Sequence, residues 1–149
     1  LTHPGASAGL IADAIHVHPA TMQAALAAKM AAAKGAPGRI FLVTDAMATG
    51  GCDLQEFTLN GRTVRREKGR LTLEDSTLAG ADLNFGRAVS VLVDQVGVSV
   101  PDAVAMATSI PAGLLRDDMG FGRIGGLENR LVHLDKTTLQ PQQIASFLT

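Results

Sequence analysis

Two apolar runs stand out from the mixed texture of the chain. Residues 10–16 are apolar apart from Asp13 until the run closes on His16, and Val17-His18 follow. Residues 39–44 carry Ile40-Phe41-Leu42-Val43 and lead into Asp45-Ala46-Met47. Neither run alternates between polar and apolar positions, which predicts strands of a parallel sheet covered on both faces. Between them, Met22, Ala25, Leu26, Lys29 and Met30 recur at helical spacing in an alanine-rich stretch. Pro19 suits the first position of that helix, and Gly35 with Pro37-Gly38 ends it near Lys34. In such a strand–helix–strand unit the C-terminal ends of both strands open on one mouth, where the loops carry chemistry. Here one strand exits at a histidine and the other at an aspartate.

After Asp45 the pattern changes. Residues 48–51 read as a loop. Phe57-Thr58-Leu59, Asn60-Gly61 and residues 62–66 predict a hairpin, because Asn-Gly suits a tight turn with two left-handed residues. Residues 70–73 alternate as a third strand. Residues 78–81 are a small-residue turn entering a helix from Asp82 to about Val96, with Phe85, Ala88, Val89, Leu92 and Val96 on its apolar face. Ser99 caps a further helix that holds Pro101 and runs to about Thr108, and Pro111 restarts a short one to Leu115. Residues 120–126 are a glycine-rich loop, 131–134 a strand and 143–148 a second. The chain thus divides into residues 1–51 (barrel-like strands and helix), 52–78 (a β insertion), 79–119 (helices) and 120–149 (β-domain strands).

Composition narrows the function classes. The chain has 149 residues, 46% of them hydrophobic and 18% charged, enough for an ordinary globular core. Thirteen basic and fourteen acidic residues leave a net charge of −1, and Trp and Tyr are absent. Neither a nucleic-acid partner nor an anionic membrane surface is expected. No apolar run reaches 18 residues, so no membrane span is expected. A single cysteine, Cys52, excludes an internal disulfide and fits a reducing, cytoplasmic setting. With no base beside it, Cys52 is not a candidate nucleophile. The opening Leu1-Thr2-His3 reads as the end of a strand, so an earlier part of the protein is expected.

Asp45 is the first candidate for catalysis. A carboxylate at a strand exit can take a proton from water and return it to a leaving group. An aspartate there also commonly serves a turn or helix cap. His16 and His18, two residues apart on a strand, would share one face and could ligate a metal or orient a polar ligand. Alternatively, one faces the mouth and the other meets solvent or the start of the helix. His3 is either a third metal ligand or a frayed terminal residue. The turn at Leu78, Ala79 and Gly80 can hold an anion at a helix start or be a plain turn. The arginines of the hairpin, Arg62, Arg65, Arg66 and Arg70, with Lys68, read as a solvated face.

Four of these segments, in order, carry a resemblance. Leu10-Ile11-Ala12-Asp13-Ala14-Ile15-His16-Val17-His18-Pro19 resembles an I-A-D-G-x-H-V-x-P strand. Leu42-Val43-Thr44-Asp45-Ala46-Met47 resembles L-V-T-D-A-M. Leu78-Ala79-Gly80 resembles an L-[SA]-G loop, and Met106-Ala107-Thr108-Ser109-Ile110-Pro111-Ala112 an M-A-T-x-x-P-A junction. Together they are similar to the C-terminal part of the N-acetylglucosamine-6-phosphate deacetylases, in the amidohydrolase superfamily. The resemblance implies an α/β fold: the last strands and helices of a (β/α)₈ TIM barrel, with pieces of a small β-sandwich. It implies a metal-dependent hydrolase that removes the N-acetyl group of N-acetylglucosamine 6-phosphate, giving glucosamine 6-phosphate and acetate in amino-sugar catabolism.

Carried over, Asp45 is the general base that activates water and then protonates the leaving amine. His16 binds substrate and helps polarise the acetyl carbonyl. Asp13, Ala14, Ile15 and His16, with Leu78, Ala79 and Gly80, line the sugar-phosphate site. His3 is a ligand of a divalent metal, zinc or iron. The partner is a small-molecule sugar phosphate, and the complete enzyme is a homodimer. Ala14 departs from the glycine of the motif. Pro4-Gly5 follow His3 where the resemblance calls for N-A-M and a phosphate-contacting loop. The earlier strands with a metal-binding Glu and another His are not in this sequence, and a whole barrel takes roughly 250 residues. The isolated chain is therefore expected to be inactive. Two other readings stand beside this one: a different amide hydrolase of the same superfamily, and a non-catalytic sugar-phosphate-binding fragment.

Overall fold

The computed structural model describes residues 2–32, 37–115 and 132–143. It is α/β. Strand β1 (Ala8–Ile11) lies parallel to β2 (Ile40–Val43), in register from Ala8 opposite Ile40 to Ile11 opposite Val43. Helix α1 (Pro19–Ala32) makes the crossover between them. An isolated parallel bridge, Ala46 to Ala81, then sets the end of β6 (Leu78–Ala81) beside the continuation of β2. Three chain segments therefore run side by side in one direction.

Both predicted strands are shorter than the apolar runs that marked them. β1 stops at Ile11 because Asp13 captures the chain: its Oδ1 accepts from the backbone N–H of Ile15 (2.9 Å) and of His16 (2.8 Å). Ala14 sits between them in the left-handed region (φ 61°). An aspartate that bonds the backbone two and three residues ahead makes a turn, not a strand. The pairing of His16 and His18 on one strand face is corrected accordingly. His18 instead starts α1: its carbonyl accepts from Thr21 and Met22, and its Nδ1 from the N–H of Ala20.

The sheet is also not evenly covered. Leu10, Ile40 and Leu42 are buried, while Ile11, Phe41 and Val43 remain part-exposed. The covered face meets helices α2 (Phe85–Val91), α3 (Val100–Ala107) and α4 (Ser109–Ala112). Between α2 and α3, Leu92–Val96 widens into a π-helical turn that packs on α1 and closes at Gly97 in the left-handed region (φ 81°). Met22, Ala88, Leu92 and Ala103, all with no exposed surface, form the centre of this core. Ser99 caps α3 as the sequence suggests, accepting from the N–H of Asp102, whereas α2 starts at Phe85 rather than Asp82, because Asn84 caps it by accepting from the N–H of Arg87.

Strands β3 (Glu56–Leu59), β4 (Arg62–Glu67) and β5 (Arg70–Thr72) form an antiparallel meander that continues into β6. Asn60 (φ 51°) and Gly61 (φ 77°) are both left-handed, as an Asn-Gly hairpin turn requires. Residues 78–81 are thus a strand shared between the two sheets, rather than a turn opening a helix. The last described pair is β7 (Val132–Leu134) with β8 (Pro141–Gln143). The strand expected at 143–148 begins earlier, and residues 144–148 lie outside the described residues, as does the glycine-rich loop at 120–126.

Lys29 explains how the first residues are held. It occupies the buried stripe of α1, 5% exposed, and its Nζ donates to the carbonyls of His3 (2.8 Å) and Ala6. The N–H of Gly38 donates to Pro4 (3.0 Å), and a Cβ at Gly38 would come within 2.4 Å of the carbonyl oxygens of Pro4 and Ala6. Hydrogen bonds from a charged donor are worth more than those between neutral groups. Lys29→Met keeps the aliphatic stem and removes the ammonium. It should lower the unfolding free energy by about 1–3 kcal/mol in a urea titration. An unchanged midpoint would show that the two carbonyls find other donors.

Candidate active site

The parallel register sets the geometry of the site. With Ile11 opposite Val43, residues two positions further on are Asp13 and Asp45, at the same end of neighbouring strands. Asp45 leaves its strand in the left-handed region (φ 50°), a conformation aspartate tolerates better than most residues. Its side chain belongs to an exposed residue. Its carbonyl is held by the N–H of Ala81 at 2.9 Å.

Asp13 and His16 form a pair behind that exit. His16 Nδ1 lies 2.6 Å from Asp13 Oδ2, with the aspartate side chain 2% exposed and the histidine 19%. Burial pushes the Asp13 carboxyl up. The bonds from the His16 ring and from the N–H groups of Ile15 and His16 outweigh it and hold the group below the usual carboxylate range.

Gly80 completes the arrangement. Its φ of +89° and its contacts both require glycine: a Cβ there would lie 2.5 Å from Met47 Cγ and 3.1 Å from the Asp45 carbonyl oxygen. The 78–80 segment is therefore packed directly against the strand exit that carries Asp45. So two of the segments singled out in the sequence meet through the Asp45–Ala81 bond, and the third lies on the adjoining strand.

No family model matches the chain. Individual proteins do. An Escherichia coli K12 protein, provisionally named as an N-acetylgalactosamine-6-phosphate deacetylase, is 36% identical over 145 residues, which is 97% of this chain and 82% of that protein. The N-acetylgalactosamine-6-phosphate deacetylase of Escherichia coli O157:H7 is 36% identical over the same length, but the match covers 36% of it. Among solved structures, the N-acetylglucosamine-6-phosphate deacetylase of Thermotoga maritima superposes with a TM-score of 0.71 at 30% identity, over 89% of this chain and 35% of that one. The chain belongs to the family of N-acetylgalactosamine- and N-acetylglucosamine-6-phosphate deacetylases. It spans only about a third of the longer relatives.

For a chain of the deacetylase family, the metal expectation meets a plain result. Among the described residues, no three of His, Cys, Asp and Glu gather to hold a metal. His3 is exposed, and its Nδ1 accepts from the N–H of Gly5 at 3.2 Å. These residues by themselves do not fit a metal centre. Also among them, no helix is long and apolar enough to cross a membrane.

Beyond the strand exits lies a cavity of ≈ 460 Å³, lined in part by Thr44, Met47, Thr49, Arg66, Leu83 and Arg87. Asp13, His16 and Asp45 are not in its lining. Thr49 is buried there, and its Oγ1 makes no hydrogen bond. The hairpin arginines are only partly the solvated face expected of them. Arg62 and Arg65 form exposed pairs with Asp75 and Glu56, whereas the half-buried Arg66 binds Asp82 (2.8 Å) and the Cys52 carbonyl (2.8 Å). Arg66 thereby ties the meander to the start of α2, an interaction that a run of basic residues does not reveal in sequence.

Gly80→Ala tests the packing around Asp45. The added Cβ would push Met47 and the Asp45 carbonyl away, at a cost of about 1–3 kcal/mol. Thermal unfolding should show the loss. An undiminished Tm would mean that β6 does not pack against Met47 and the Asp45 carbonyl.

Proposed function

We propose that this chain provides the Asp45 side of the active site in an enzyme that hydrolyses the N-acetyl group of an N-acetylated hexosamine 6-phosphate, releasing acetate and the free amine. The observation that carries the reading is the common exit of β1 and β2. It sets the Asp13–His16 pair and Asp45 at one end of adjacent parallel strands in a chain of the deacetylase family. The three parallel segments correspond to an arc of a (β/α)₈ barrel, and the meander to part of the small β-domain that accompanies it.

Asp45 acts as the general base. Its exposed carboxylate takes a proton from the water that attacks the acetyl carbon, and delivers it to the nitrogen as the C–N bond breaks. His16 presents its outer ring nitrogen to the ligand. The Leu78, Ala79 and Gly80 backbone borders the sugar, as do Ala14, which is in the left-handed region (φ 61°), and Ile15. A divalent metal, zinc or iron, is part of the proposed enzyme; His3 would supply one ligand, and the others would have to come from beyond the described residues. The proposed setting is cytoplasmic, and the proposed assembly a homodimer.

Relatives divide between the galacto and gluco substrates, which differ in one hydroxyl configuration. The proposal extends to the class; acetate release from both sugar phosphates decides between them. In the complete gene product, Asp45→Asn should lower kcat by at least about a hundredfold, the usual worth of a general base, with KM little changed. Near-normal kcat in the variant would remove Asp45 from the base role. Absence of acetate release by the unmodified complete protein would remove the deacetylase reading itself.

A further inference from the structure

We infer that Asp13 is a positioning residue that fixes His16 as the Nδ1–H tautomer and so makes its Nε2 a hydrogen-bond acceptor toward the ligand. The assignment follows from how the four acceptor and donor positions are used. Asp13 Oδ1 is occupied by two backbone N–H donors, from Ile15 and His16. Only Oδ2 remains for the ring, and it lies 2.6 Å from Nδ1. With the aspartate side chain 2% exposed, water does not compete for that bond.

A carboxylate that accepts two backbone N–H bonds is stabilised in its ionised form and has no proton to give. The hydrogen between the two residues therefore belongs to Nδ1. Which ring nitrogen of a neutral histidine is protonated is set by the partner of the other. Nε2 is then left with its lone pair, on the side of the ring that is not covered by Asp13.

This has a chemical consequence for the neutral ring. A lone pair cannot polarise the acetyl carbonyl, which needs a donor. It can accept from a sugar hydroxyl or from the N–H of the acetamido group. The inference that this contact is made to the substrate rests on the deacetylase reading; the tautomer does not.

The test is ¹⁵N NMR of the histidine-labelled chain at alkaline pH, where the ring is neutral. The expected spectrum shows His16 protonated at Nδ1, with that proton shifted downfield by the short bond. Asp13→Asn keeps an oxygen for the two backbone donors but turns an amide N–H toward Nδ1. His16 should then convert to the Nε2–H form and lose the downfield proton. An Nε2–H ring in the unmodified chain overturns the inference, and so does an unchanged tautomer in the variant. If Asp13→Asn does not fold, the unmodified spectrum alone decides.

In the complete protein, the same variant should raise KM for the sugar phosphate on the order of tenfold, the worth of one hydrogen bond, with a smaller change in kcat. A loss confined to kcat would contradict the acceptor role. The Nδ1–H form without acetate release by the unmodified protein would instead remove the deacetylase reading and leave the tautomer standing.

Discussion

The parallel pairing of two four-residue strands is the constraint on which everything else depends. Its register aligns Ile11 with Val43 and sends both chains out of the same end. A one-residue slip of either strand would turn that strand's side chains to the opposite face. If β1 slipped, Leu10 would leave the core that buries it, and Asp13 would lose its place beside Asp45. The helical layer of Met22, Ala88, Leu92 and Ala103 fixes that register by burying one face only.

At the exits, the backbone adopts conformations that ordinary strands avoid. Ala14, Asp45 and Gly80 all have positive φ. Such positions persist where surrounding contacts hold them, and they concentrate at functional sites. Each has its holder: the Asp13 side chain clasps the turn at Ala14, the Ala81 N–H binds the Asp45 carbonyl, and Met47 packs over Gly80. The site is thus built less from loop than from turns locked to strand ends. Lys29 extends the same logic to the first residues, where a buried ammonium takes the place of a sheet partner for the carbonyls of His3 and Ala6.

Much of this was legible in the residues. The absence of alternation in the two runs pointed to parallel strands, Asn60-Gly61 to its hairpin, and Pro19, Ser99 and Pro101 to helix starts. The misreadings have a common cause: a polar side chain that redirects the backbone is invisible to a hydrophobic pattern. Asp13 ended β1 four residues before the apolar run did. The 78–81 segment is small and apolar in either a turn or a strand, and only its two neighbours, β5 and the end of β2, make it a strand. Lys29 shares the buried side of α1 with Met22, while Met30 of the expected stripe is exposed, and nothing local announces that a buried cation will be answered by carbonyls 23 and 26 residues away. The order of four motifs, by contrast, identified the family, because several short patterns at compatible spacing carry information that none holds alone.

The central claim is that the two strand exits and the Gly80 segment form one mouth for an amino-sugar phosphate. Backbone amide NMR of the chain during titration with N-acetylglucosamine 6-phosphate tests it most directly. The account predicts that residues 13–16, 45–47 and 80–81 shift together along one binding curve. Shifts confined to the 56–73 meander, or exits that respond at different concentrations, would contradict it.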